Sequence, residues 1–88
     1  MIPQLIHELY DAKELPAARE LAIAYLKNEK DENIMFLLAG IYHLEKNFEK
    51  ALEWVEKVPP SEHVLIHKAK VLYYLERAPE AEAILRSL

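Results

Sequence analysis

The sequence predicts an all-α fold of six antiparallel helices arranged as three stacked helix-turn-helix units. Three observations predict it. Apolar residues recur at three- and four-residue spacing, as in Met35, Leu38, Ala39 and Tyr42, which is the helical period. No segment sustains the period-two alternation of a strand. A register of small and apolar residues also repeats along the chain. A hairpin such as Met35–Val55 cannot bury its apolar faces alone, so each unit needs a neighbour.

The elements follow in order. Met1–Ala12 is a first helix with Ile2, Leu5, Ile6 and Leu9 on its apolar face, and Pro3 sits in its first turn, where a missing N–H costs nothing. Asp11–Leu15 is a turn. Pro16 starts a second helix through about Asn28, with Ala18, Leu21, Ala22, Tyr25 and Leu26 inward, and Asn28–Lys30 is a polar break. Asp31 caps the third helix, with Glu32 favourable at the positive end of its dipole. That helix runs to about Glu45. In the turn Glu45-Lys46-Asn47, Asn47 is the residue expected to take the left-handed conformation.

The fourth helix covers about Phe48–Lys57 and stops at Pro59-Pro60, which can neither continue it nor tolerate a helical residue before them. Ser61 caps a fifth helix to about Arg77, and Pro79 begins a sixth that runs to the C-terminus. Tyr42 and Trp54 belong to the core in this reading.

Composition narrows the function. Apolar residues make up 52% of the chain, enough for a packed core and too many for disorder. At 88 residues the chain is one domain, with units of about 1–30, 31–60 and 61–88. With no Cys there is no disulfide, zinc-thiolate site or thiol nucleophile. The net charge of −4 disfavours a nucleic-acid partner. No apolar run reaches the roughly 20 residues of a membrane span, and the first residues lack the basic and apolar regions of a signal peptide. A cytoplasmic protein is expected.

The repeat register is specific. Ile6, Ala39 and Ala69 are each followed twelve residues later by an alanine, Ala18, Ala51 and Ala81. Leu15, Phe48 and Ala78 lie three residues before those alanines, and Ala22, Val55 and Leu85 lie four after them. The units are offset by 33 residues from Ala18 to Ala51 and by 30 from Ala51 to Ala81. This pattern resembles three tetratricopeptide repeats, and Met35-x2-Leu38-Ala39-x2-Tyr42 with Ala51-x3-Val55 is the best-formed unit. The resemblance implies a short right-handed α-solenoid in which the small residues let paired helices approach closely. Two positions depart from it. Ile6 is bulky where a small residue is expected, which would splay the first pair, and Lys68 stands where an apolar residue is expected.

The resemblance further implies a concave groove lined by the first helix of each pair. Here that set contains His7, Tyr10, Phe36, Gly40, His43, Ile66, Lys70, Tyr73 and Tyr74, with Asp11, Asn33, Leu44 and His63 around it. Members of the family that hold a peptide C-terminus use Lys, Asn and Arg, whereas His7, Gly40, His63 and His67 occupy those places here. An apolar or amphipathic protein segment is therefore the expected partner, as for an adaptor or chaperone. Gly40, the sole glycine, is mid-helix, where it costs about 1 kcal/mol relative to Ala; room for a ligand, close helix packing and a neutral accident are the three explanations.

Catalysis has no support: there is no nucleophile–base pattern and no phosphate-binding glycine loop. The chain is expected to be non-enzymatic and to need no cofactor. His63 and His67 have the i, i+4 spacing of metal ligands, but without the HExxH glutamate they are expected to be ordinary histidines, and no metal is expected. Ile84, Leu85 and Leu88 leave an apolar stripe on the last helix with no polar cap after it. That stripe offers an alternative function, a self-associating scaffold or homodimer through the C-terminal helix. An engineered repeat could also leave such an end, although the unequal unit lengths argue against one.

Overall fold

The turn inside each hairpin is made by one residue in the left-handed region: Lys13 (φ 64°), Lys46 (φ 64°) and Glu76 (φ 61°). In a computed structural model describing all residues 1–88, these turns join α1 (Ile2–Asp11) to α2 (Leu15–Leu26), α3 (Glu32–Leu44) to α4 (Phe48–Val55), and α5 (Glu62–Tyr74) to α6 (Ala78–Arg86). All three close the same way. The left-handed residue donates its N–H to Tyr10, His43 or Tyr73 O, and the next residue donates to Leu9, Tyr42 or Leu72 O. These paired bonds are a Schellman motif, which satisfies carbonyls orphaned at a helix end. The left-handed residues are spaced 33 and 30 apart, as the buried alanines are, so the repeat is present in the backbone as well as in the side chains.

Asn47 is not the left-handed residue. Lys46 takes that conformation, and Asn47 becomes the N-cap of α4, its side-chain oxygen accepting the Lys50 N–H at 3.3 Å. Asn suits both positions, but only the cap uses its carboxamide to satisfy an orphan donor. Asp31 and Ser61 cap α3 and α5, accepting from Ile34 N–H at 3.2 Å and Val64 N–H at 3.4 Å. Prolines occupy the first turns of α1, α2 and α6.

Several helices are shorter than their apolar periodicity suggests. The α5 helix stops at Tyr74 rather than near Arg77 because Leu75–Arg77 form the Schellman turn. After α2 and α4, Lys27, Asn28, Lys57 and Val58 continue as i to i+3 bonds, the tighter tail common at helix ends. The six helices and the lack of strands agree with the expected fold class, a helical repeat forming a short solenoid.

Packing follows chain order. Each helix lies against its sequence neighbours, and the molecule is drawn out to 39 × 22 × 19 Å. Two apolar clusters result. One gathers Ile6, Ala18, Ala22, Ile34, Leu38 and Ile41; the other gathers Ala39, Ala51, Leu52, Val55, Val64, Ala69, Val71, Leu72 and Ala81. Tyr42 and Trp54 are not core residues in the full sense. They are half-buried and pack against both clusters, joining them at a seam where their polar tips stay near water.

Six of the register alanines, Ala18, Ala22, Ala39, Ala51, Ala69 and Ala81, are buried, and Ala78 is half-buried. Ile6, bulky where a small residue is expected, is wholly enclosed in the cluster with Ala18 and Ala22. Lys68 keeps its place by lying half-buried and directing its ammonium to Glu56 at 3.3 Å, with its stem covering apolar surface. No charged or polar residue is fully buried, so the core carries no ionic desolvation cost.

Candidate partner-binding groove

The groove is built from the inward faces of α1, α3 and α5, closed at one end by α6. Helical spacing places Phe36, Gly40 and His43 on one stripe of α3. Beside them, Tyr10 from α1 and His67 from α5 complete a cleft of about 270 Å³ that also takes in Leu37 and Leu44. A second cleft, of about 600 Å³, is lined by Ile66, Lys70, Tyr73 and Tyr74 of α5 and by Ala78, Glu82 and Leu85 of α6. His43 lines both clefts. The two are therefore halves of one surface that turns at a histidine.

An aromatic chain makes the floor. The Phe36 ring meets His67 edge-on at 5.4 Å between centroids, and His67 lies 5.1 Å from His43. His43 meets both Phe48 and Tyr74 edge-on, at 5.4 and 5.5 Å, while Phe48 and Tyr74 stack at 4.8 Å. Edge-to-face and stacked rings at these separations are favourable beyond the area they bury, so the floor is held in place before any partner arrives. Phe48 belongs to α4, so the second helix of the middle pair anchors this floor from behind.

With the three hairpins and this lined groove in place, sequence comparison adds the family. A model of the family described as "Anaphase-promoting complex, cyclosome, subunit 3", which consists of tetratricopeptide-like repeats, matches residues 7–88. The chain belongs to that family. Repeats of this kind serve protein–protein interaction. Comparison with curated proteins and with solved structures gives no match.

In this tetratricopeptide-like frame, most of the expected groove residues come together. Tyr10, Phe36, Gly40 and His43 share the small cleft, and Ile66, Lys70, Tyr73 and Tyr74 share the large one. His7 lines neither and stands exposed on α1. The apolar stripe of α6 divides. Ile84 turns inward against the core, while Leu85 and Leu88 are exposed, and Leu85 reaches the large cleft. The lining residues Leu37, Ala78 and Glu82 were not foreseen. Glu82 occupies the position of Leu52 one unit earlier, and that equivalence is the signal that could have found it.

Gly40 is settled on one count. A Cβ built there meets nothing within 4 Å, so close helix packing does not explain the glycine, and the space it leaves opens into the small cleft. Nor do His63 and His67 converge. His63 lies exposed by Pro59, Pro60 and Ser61, whereas His67 packs on Phe36 and His43. No group of three His, Cys, Asp or Glu residues stands close enough to hold a metal ion.

His43 and His67 are poor bases. Burial, then His43 and then the nearby Lys70 ammonium lower His67 from the ordinary 6.5 to about 4. Burial and Lys70 lower His43 as well. Their Nδ1 atoms have no hydrogen-bond partner. Near neutral pH the floor is therefore uncharged and aromatic, with Lys70 as the cation at its side.

Proposed function

We propose that the chain is a non-enzymatic interaction module that binds an apolar or amphipathic peptide segment along the groove from Tyr10 to Tyr74, in a cytoplasmic adaptor or chaperone-like role. The observation that carries this reading is the aromatic floor, uncharged at neutral pH and running unbroken across both clefts through His43. A helix in such a groove binds through apolar anchors at i, i+3, i+4 and i+7. Gly40 would let the segment lie close to the backbone of α3. The three units act as one binding domain, and neither nucleic acid nor a membrane is its target. No helix is long and apolar enough to cross a membrane. The family's printed description, a subunit of a complex, fits a part played in assembly with other proteins.

The test is a fluorescence titration with two peptide sets, one amphipathic and helical and one with an acidic C-terminus, against the natural chain and Phe36→Ala/Tyr73→Ala. Amphipathic peptides should bind more tightly, and the double variant should lose about tenfold or more in affinity, as truncating a pair of aromatic anchors does. Unchanged affinity in a folded variant would remove the groove as the site. A second reading, self-association through the C-terminal helix, draws on Leu85 and Leu88, 52% and 53% exposed. Sedimentation of Leu85→Glu/Leu88→Lys beside the natural chain tests it, and a monomer at all concentrations ends it.

A further inference from the structure

The smaller cleft is the part of the groove walled by helices of all three units. Tyr10 comes from α1, Phe36, Gly40 and His43 from α3, and His67 from α5. Its volume of about 270 Å³ suits one large side chain rather than a length of backbone. The floor is bare at Gly40. A Cβ built there meets nothing within 4 Å, whereas the same position is His7 in the unit before and Lys70 in the unit after. Only in the middle unit, therefore, can a flat ring lie against the backbone of a first helix, with Phe36 beside it.

The two imidazoles give this cleft a definite polarity. The Nδ1 atoms of His43 and His67 are shut from solvent and make no hydrogen bond, while their Nε2 atoms are not so enclosed. A neutral imidazole carries one donor and one acceptor nitrogen, and a buried N–H is left unpaired less often than a buried acceptor. The protons therefore sit on Nε2, where water or a ligand can accept them. Burial and the Lys70 ammonium keep both rings uncharged near neutral pH. No carboxylate lines the cleft. It offers N–H donors among apolar and aromatic walls, and nothing that answers a cation.

We propose that the cleft takes one tyrosine side chain of the bound partner, its ring against Gly40 and Phe36 and its phenolic oxygen accepting the Nε2–H of His67. This rests on the reading of the groove as a peptide site and names the anchor within it. His67 is the donor because it lines this cleft alone, whereas His43 is shared with the larger one. Complementarity of charge and hydrogen bonding selects the residue. Phenylalanine fills the space but leaves the donor unanswered. Tryptophan sets a second N–H against it. Lysine or arginine meets the Lys70 ammonium with no carboxylate to pair with. Aspartate or glutamate is better held by Lys70 at the rim, since the cleft strips its water among Tyr10, Phe36 and Leu37.

The test titrates N-acetyl-tyrosinamide and its phenylalanine, tryptophan, lysine and glutamate counterparts into the intact chain, read by amide and imidazole chemical shifts. The tyrosine amide should bind about fivefold more tightly than the phenylalanine amide, the scale of one hydrogen bond to a neutral donor. The shifts should centre on Gly40 and His67. His67→Phe keeps a ring in place and should erase the tyrosine preference without weakening the phenylalanine amide; a role in packing alone would move both together. Gly40→Leu fills the cleft from its floor and should block both amides, which keeps the test decisive if His67→Phe does not fold. No binding, equal binding of the tyrosine and phenylalanine amides, tightest binding of the glutamate amide, or a preference that survives His67→Phe would overturn the proposal. Such a failure leaves the groove reading standing, because that reading is decided by the amphipathic peptides and the Phe36→Ala/Tyr73→Ala variant.

Discussion

The middle hairpin, α3–α4, and the terminal hairpin, α5–α6, share a turn, a buried alanine pair and a register, yet their corresponding residues live in different surroundings. Val55 is sealed under α5, while Leu85 has nothing over it. Asn47 caps α4 with its side chain, while Arg77 at the same place forms a two-bond pair with Glu80 at 2.7 and 2.8 Å. Gly40 opens a cleft where the next unit has Lys70. In a repeat array the sequence register decides the hairpin, and the neighbour decides what each position is worth.

The largest effect should come from the core beneath the middle unit. Leu38→Ala, at a fully enclosed site, should cost about 2–5 kcal/mol through lost burial and a residual cavity, read from urea unfolding. Leu85→Ala should stay within about 0.5 kcal/mol. Similar losses from both would mean that the terminal face is covered in solution.

Acid should loosen the groove next. His67 takes up a proton in the unfolded chain near the ordinary 6.5 but in the folded chain only at about 4. The unfolded state thus binds more protons between these values, so stability present above pH 6.5 falls as pH drops towards 4. His67→Gln should flatten the upper part of that slope, from pH 6.5 to 5, where carboxylates contribute little. An unchanged slope would show that His67 stays solvated in solution.

Gly40→Ala should raise stability by about 1 kcal/mol, because the helix gains propensity and the Cβ meets no neighbour. The same substitution should weaken peptide binding if the groove uses that space, and a gain in stability without a change in affinity would separate the two roles. Smaller still are the caps and turns. Asn47→Ala should cost about 1 kcal/mol, and Lys46→Gly and Glu76→Gly should each stabilise by a few tenths up to about 1 kcal/mol by relieving a left-handed side chain. Unequal gains at Lys46 and Glu76 would show that the two turns differ more than their hydrogen bonds suggest.

How much of this was legible follows from what each feature depends on. Helical period, prolines and capping residues act locally, so the six helices could be read from the chain, and the alanine register exposed the repeat. The turn at Lys46 was misplaced because two residue types compete there, and the better left-handed candidate was the better cap. Tyr42 and Trp54 sit at a seam between clusters, which hydrophobicity alone does not distinguish from a core. Most residues that line the two clefts were placed there by helix face through the repeat. His67 joined it through contact with Phe36 and His43 across two helices, and spacing on its own helix suggested a different partner in His63. The ion pairs Arg19–Glu45 and Glu56–Lys68 join residues far apart in the chain, which no single stretch displays.

Packing dominated by neighbours also has a consequence in time. Apart from the ring contacts between α3 and α5, the helices gain their tertiary support from the helices next to them in the chain, so folding needs few distant encounters and should be fast for an 88-residue protein. Opening should begin where support is one-sided. Amide exchange will then be quickest in α1 and α6, slower in α2 and α5, and slowest across α3 and α4, a gradient of lifetimes laid along the same axis as the repeat.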